Sequence, residues 1–122
     1  MRNYFIGLMS GTSLDGADGV LVDFSTDELR VISAATEPFD DSFRAELLAL
    51  NTPTHNELHR AAQAGSQLAA VYARVVYLLL ERAADQGISA AQIEAIGAHG
   101  QTVRHLPQRT SIKASEIGRA HV

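Results

Sequence analysis

Residues 4–24 read YFIGLMSGTSLDGADGVLVDF and decide the architecture of this 122-residue chain. The segment 4–9 is a short apolar run followed at once by a glycine-rich loop, so it predicts a buried strand. After that loop, residues 17–24 predict a second strand, and residues 29–35 predict a third strand beyond a short reversal. Three strands joined by short turns predict an antiparallel meander.

Two helices are expected after the meander. Asp40, Asp41 or Ser42 can cap a helix that runs to about Leu50. A longer helix is predicted from about residue 56 to residue 86, with Gly87 ending it. Its apolar residues recur at three- and four-residue steps, which indicates one face packed on a sheet. They are Leu58, Ala62, Gly65, Leu68, Ala69, Tyr72, Val75, Val76, Leu79, Leu80 and Ala83.

A fourth strand is predicted at residues 94–97, after a helical turn that Ser89 and Gln92 begin with capping-box spacing. A strand–helix–strand crossover favours parallel pairing, so this strand should lie parallel to the first. The order is β-β-β-α-β, and ligands favour the crevice at the carboxyl ends of such parallel strands.

Composition narrows the function classes. Hydrophobic residues make up 46% of the chain and charged residues 20%, a balance typical of one folded soluble domain. The formal net charge is −4 with no basic cluster, which disfavours nucleic acid as a partner. Cysteine is absent, which excludes disulfides and thiolate sites. Neither a signal peptide nor a spanning segment is recognised, so we expect no membrane partner and a cytoplasmic location.

The loop 11–16 is the strongest functional motif. Its glycines let backbone N–H groups approach an anion, and the hydroxyls of Thr12 and Ser13 add donors. Asp15 and Asp18 could hold Mg²⁺, mainly through water. A plain hairpin turn explains the same composition and is favoured on composition alone.

A second concentration of polar groups ends the fourth strand at residues 97–102. His99, Gln101 and Thr102 offer donors and acceptors suited to sugar hydroxyls, and small neighbours leave room for a ligand. A structural histidine in a loop explains the segment equally well.

The sequence gives less support to other classes of functional site. Ala17 stands where a Walker loop needs lysine, and Ser10 is outside any G-x-S-x-G elbow. His55 and His59 share a helix face and could chelate a metal, as in a metal hydrolase, but no third ligand is evident. A solvated histidine pair is the simpler interpretation.

Residues 5–18 (FIGLMSGTSLDGAD) and 95–105 (AIGAHGQTVRH) together resemble two signatures of the anhydro-N-acetylmuramic acid kinases. The resemblance extends over residues 4–112. It implies an α/β, actin-like ATPase (ribonuclease-H-like) lobe, which agrees with the order read from the periodicity.

The resemblance also implies chemistry. These kinases use ATP, Mg²⁺ and water to convert 1,6-anhydro-N-acetylmuramic acid into N-acetylmuramic acid 6-phosphate during cell-wall recycling. Ser10, His99, Gln101 and Thr102 would face the sugar, and Asp15 and Asp18 would meet Mg²⁺. The resemblance assigns the ATP phosphates to Gly11, Thr12, Ser13, Leu14, Asp15, Gly16, Ala17 and Asp18.

Part of the family's machinery has no counterpart in this sequence. The resemblance places the catalytic base, an aspartate, in a later segment, together with the lobe that closes over the nucleotide. We therefore expect no turnover from this chain alone, an exposed apolar face, and a homodimer for the full-length protein. The alternative function is a non-catalytic, actin-like nucleotide-binding module.

The end of the chain is expected to differ in origin from the rest. Residues 1–112 are interpreted as the N-terminal part of an actin-like kinase domain. Residues 117–122 lack periodicity and resemble one translated reading frame of a sequencing adapter, and the resemblance to the family is lost from about Lys113, so we expect residues 113–122 to be a non-native tail.

Overall fold

A computed structural model describes residues 3–11, 14–104, 115–117 and 120–121 of the chain. The helices are α1 (Asp41–Ala49) and α2 (Glu57–Ala84), and a short 3-10 turn spans Ala90–Gln92. The strands are β1 (Tyr4–Ser10), β2 (Gly16–Asp23), β3 (Arg30–Pro38), β4 (Ile93–Ala98), β5 (Gln101–Arg104), β6 (Ser115–Ile117) and β7 (Ala120–His121).

Five of these strands form one mixed sheet in the order β3-β2-β1-β4-β7. The meander is antiparallel, and β4 lies parallel to β1 with Ile6 opposite Ile96 and Leu8 opposite Ala98. The α/β class and the parallel pairing are therefore confirmed. Strands β5 and β6 pair separately, and β7 pairs with the end of β4. These three short strands were not predicted, and the expected boundary at residue 112 stays a prediction.

Helix α2 covers one face of the sheet and supplies much of the core. Leu68, Val75 and Leu79 are fully buried against strand residues such as Ile6 and Leu21. This burial confirms the amphipathic pattern of the long helix.

Three residues assigned to that apolar face are nevertheless exposed, which corrects the prediction. Leu58 is 87% exposed, and Ala62 and Ala69 are exposed as well. Leu58 precedes the buried Ala64 by six residues, which places it about 120° around the helix from the packed face. An apolar residue at the start of a helix pattern therefore need not lie on its buried side.

The helix ends follow local capping chemistry. Asp40 caps α1, since its carboxylate accepts hydrogen bonds from the Phe43 N–H at 2.8 Å and from the Ser42 hydroxyl at 2.9 Å. Both bonds lower the pKa of the Asp40 carboxyl below its ordinary value, and the bond from Phe43 has the larger effect. Gly87 follows α2 with φ +78°, the left-handed conformation that favours glycine.

The sheet face opposite α2 is apolar and open. Met9 is 58% exposed and Val20 37% exposed on this face. A shallow groove of about 350 Å³ crosses it, with Gly7 and Gly97 among its lining residues. Among the described residues, this face is therefore apolar and exposed, and its origin in a missing lobe stays a prediction. No helix in the described parts of the chain is both long enough and apolar enough to cross a bilayer.

Candidate functional site

The loops that follow β1 and β4 lie side by side at the carboxyl ends of these parallel strands. The His99 N–H donates to the Leu8 carbonyl at 2.9 Å. Beyond it, the Gln101 side-chain amide donates to the Gly11 carbonyl at 3.1 Å. The two polar segments therefore meet at the carboxyl ends of these strands, the place where ligands of such sheets favour a crevice.

Buried polar side chains concentrate at this junction. Within the described residues, the buried polar side chains are Ser10, 4% exposed, and Gln101, fully buried. The Tyr72 hydroxyl reaches the same place from α2, lying 3.3 Å from the Ser10 Oγ and donating to the His99 carbonyl. Burial raises the pKa of Tyr72 above its ordinary value, so the phenol stays protonated at neutral pH.

The loop after β1 contains a strained residue. Leu14 has φ +59°, although its side chain is 4% exposed and packs in the core. A left-handed conformation costs a residue with a Cβ about 1–2 kcal/mol. The Leu14 N–H donates to the Gly11 carbonyl at 3.2 Å. Strain of this kind is concentrated at functional sites, and here it borders the crevice.

The predicted phosphate-binding residues differ in what they can offer a ligand. The side chains of Leu14 and Ala17 are buried, the Leu14 N–H already donates to the Gly11 carbonyl, and Ala17 lies in β2 between β1 and β3. A Cβ on Gly16 would lie 2.5 Å from the Glu37 carbonyl oxygen, so close strand packing is enough to require glycine there. Thr12 and Ser13 lie outside the described residues.

The two acidic candidates occupy different environments. Asp15 lies in the loop with its side chain 75% exposed, and its carboxylate is 3.8 Å from the Arg44 guanidinium. Asp18 lies in β2 opposite Met9, so it points to the open face of the sheet, whereas Ser10 points to the α2 side. The Asp18 carboxylate accepts a hydrogen bond from the Thr36 hydroxyl at 2.6 Å.

The histidine candidates also lie in different parts of the structure. The His99 side chain is exposed beside the crevice while both of its backbone groups are held. Thr102 lies in β5 next to Gln101. His55 and His59 are both exposed, but His55 precedes α2, so the expected shared helix face is not formed. No cluster of three potential metal ligands occurs in the described part of the chain. A metal hydrolase site therefore lacks its third ligand there.

Tyr72 was assigned only to the apolar face of the long helix, and its link to the crevice was missed. A signal was present in the sequence, because a buried tyrosine hydroxyl usually needs a hydrogen-bond partner. Periodicity placed Tyr72 towards the sheet without showing which strand end its hydroxyl reaches.

Comparison with known proteins identifies the family. The model of the family "Anhydro-N-acetylmuramic acid kinase" matches residues 3–122. The kinase of that name from Variovorax paradoxus is 61% identical over 103 residues, which cover 84% of this chain and 27% of the relative. Those from Albidiferax ferrireducens and Nitrosomonas europaea are 57% and 51% identical over 88% and 86% of this chain.

The chain spans about a quarter of the length of these relatives. Its α/β fold of a mixed sheet and packed helices agrees with the actin-like ATPase fold of the matching family. With a family match along nearly the whole sequence, the chain belongs to the anhydro-N-acetylmuramic acid kinase family.

Proposed function

We propose that this chain carries the phosphate loop and one wall of the sugar crevice of a kinase for 1,6-anhydro-N-acetylmuramic acid. The names of its relatives supply the substrate class. The hydrogen bond from Gln101 to the Gly11 carbonyl is the observation that carries the proposal. It joins the glycine loop to the polar segment after β4, so two different ligands could meet between them.

Each loop suits one of the two ligands. The glycine loop offers backbone N–H groups to an anion, as the phosphates of ATP require. The exposed His99 side chain offers nitrogen atoms to sugar hydroxyls or the acetamido group. Phosphoryl transfer depends on positioning more than on covalent chemistry, so two rigidly spaced loops suit it.

The overall reaction balances with one water molecule. Water attacks the anomeric carbon, the bond from that carbon to the bridging oxygen breaks, and the freed oxygen attacks the γ-phosphorus while ADP leaves. The attacking water needs a general base. The family resemblance places that base beyond this chain's sequence. Since ATP is the phosphoryl donor, we place the reaction in the cytoplasm.

Asp15 and Asp18 are the proposed ligands of a magnesium ion held mainly through water. Mg²⁺ keeps several waters and uses one or two carboxylates together with substrate phosphates, so it needs no dense cluster of ligands. The Asp15 carboxylate is exposed at the loop itself, which makes it the nearer candidate for the phosphate-bound ion. When bound, the ion would neutralise charge on the phosphates during transfer.

We expect a chimera to phosphorylate the anhydro sugar. In this chimera, the matching first segment of the Variovorax paradoxus kinase is replaced by this chain's residues. The 122-residue chain alone should show no turnover, because the proposed reaction needs a base and a second lobe. The turnover of the chimera and of the 122-residue chain is measured by the release of ADP and by mass spectrometry of the sugar 6-phosphate.

The unmodified Variovorax kinase serves as the positive control, and circular dichroism shows whether the chimera is folded. A folded chimera without turnover, beside an active control, would contradict the proposed function. Turnover by the 122-residue chain at the rate of the control would contradict the requirement for the remaining lobe.

Neutralising either acidic residue in the chimera should weaken the use of magnesium. We expect Asp15→Asn and Asp18→Asn each to lower kcat/KM by roughly tenfold at limiting Mg²⁺, with partial recovery at excess Mg²⁺. Asp27→Asn, in the exposed turn before β3, is the matched control and should change nothing. Unchanged magnesium titrations in both test variants would remove these carboxylates from the metal site.

A further inference from the structure

The Tyr72 hydroxyl connects three elements at one point. Tyr72 projects from α2 and is 5% exposed. Its hydroxyl contacts the side chain of Ser10, the last residue of β1, and the carbonyl of His99, the first residue after β4. A carbonyl can only accept, so the single phenol proton goes to His99 and the Ser10 hydroxyl completes the bridge.

Core packing does not require this hydroxyl. Phenylalanine would supply the same apolar ring, and burying a hydroxyl is unfavourable unless hydrogen bonds compensate it. The burial cost of the hydroxyl is compensated only because Ser10 at the end of β1 and the His99 carbonyl after β4 both lie within its reach. The hydroxyl thereby connects the start of the glycine loop with the start of the segment that follows β4.

The bridge holds the backbone at His99, and the side chain of this residue is exposed. The His99 carbonyl is bound by Tyr72 and its N–H by Leu8, while its side chain remains exposed. Gln101 makes a second, separate link to Gly11. Two links between the same pair of loops restrict how far one loop can shift against the other.

We propose that Tyr72 is a positioning residue that sets the spacing between the ATP loop and the sugar loop, an inference that rests on the proposed kinase function. Each substrate would be bound by its own loop, so each would still bind when the spacing relaxes. Only the transition state requires both substrates in line. Loss of the hydroxyl therefore lowers kcat and leaves both KM values nearly unchanged.

The test is Tyr72→Phe in the chimera. We expect kcat to fall roughly tenfold while the KM values for ATP and for the anhydro sugar stay within about twofold. Val75→Ala is the matched control, since Val75 is fully buried on the same helix face and its side chain has no hydrogen-bonding group. The control should lower the melting temperature and keep kcat per folded molecule.

Hydrogen exchange in the 122-residue chain gives a readout that needs no turnover. Tyr72→Phe should speed amide exchange at His99 and Leu14, which lie in the two loops, relative to amides in the middle of α2. Val75→Ala should instead speed exchange throughout the helix and sheet. Equal protection of His99 and Leu14 in Tyr72→Phe and the parent chain would overturn the bridge.

The kinetic outcomes separate the two proposals. A parent chimera that is active, with an unchanged kcat in Tyr72→Phe, overturns the role of Tyr72 alone. A folded parent chimera without turnover overturns the kinase function, and the positioning role in that reaction falls with it. If Val75→Ala lowers kcat per folded molecule as much as Tyr72→Phe does, then Tyr72 has only a structural role and the positioning proposal is overturned.

Discussion

Gln101→Leu in the chimera should lower kcat about 100-fold, the scale expected when reacting groups are misplaced by about 1 Å. The Gln101 side chain is fully buried and its amide donates to the Gly11 carbonyl, so it connects the two loops directly. Leucine has a similar volume and fills the space, but it donates no hydrogen bond. The Leu14 N–H would keep its bond to Gly11, but the glycine loop would lose its direct hydrogen bond to the segment after β4, leaving the indirect link through Tyr72.

Steady-state kinetics with both substrates would measure this loss, and the melting temperature would report on folding. Gln67→Leu, at an exposed position of α2, is the matched control for the same chemical change and should retain the parent kcat. A Gln101→Leu chimera within twofold of the parent kcat would show that the link is not needed for turnover. Such a result would also remove the support that the hydrogen bond from Gln101 to Gly11 gives to the proposed function.

The overall fold could be predicted because its signals are local and repeated. Apolar runs bounded by glycine marked β1, and three- and four-residue periodicity marked α2. The parallel pairing of β4 with β1 followed from the strand–helix–strand crossover between them. Once those two strands are neighbours, their carboxyl ends must meet, so the place of the crevice could also be predicted.

Details of the crevice depend on interactions that no local pattern encodes. The positive φ of Leu14 arises because its buried side chain and its N–H bond to Gly11 together outweigh the backbone cost. The reach of the Tyr72 hydroxyl depends on how α2 is placed over β1 and β4. Pairing of β7 with β4 involves two residues only, too few for periodicity to reveal.

Gly19→Ala should lower the free energy of unfolding of the 122-residue chain by about 1–3 kcal/mol, the usual cost of overpacking a core. Gly19 lies in β2 directly beneath α2. A Cβ there would be 2.5 Å from Val75 Cγ1, 2.9 Å from Leu8 Cδ2 and 3.1 Å from Leu79 Cδ1. These three neighbours are buried, and the branched valine has little rotamer freedom, so relief requires the helix to move from the sheet.

Gly97→Ala is the matched control, because a Cβ at Gly97 would meet no heavy atom within 4 Å. Equilibrium urea unfolding of both variants separates the steric cost from the general effect of replacing a strand glycine. If the clash is with Val75, then Gly19→Ala combined with Val75→Ala should be more stable than the sum of the two single changes predicts. Additive losses would place the cost elsewhere, and equal stability of Gly19→Ala and Gly97→Ala would contradict close packing of α2 on β2.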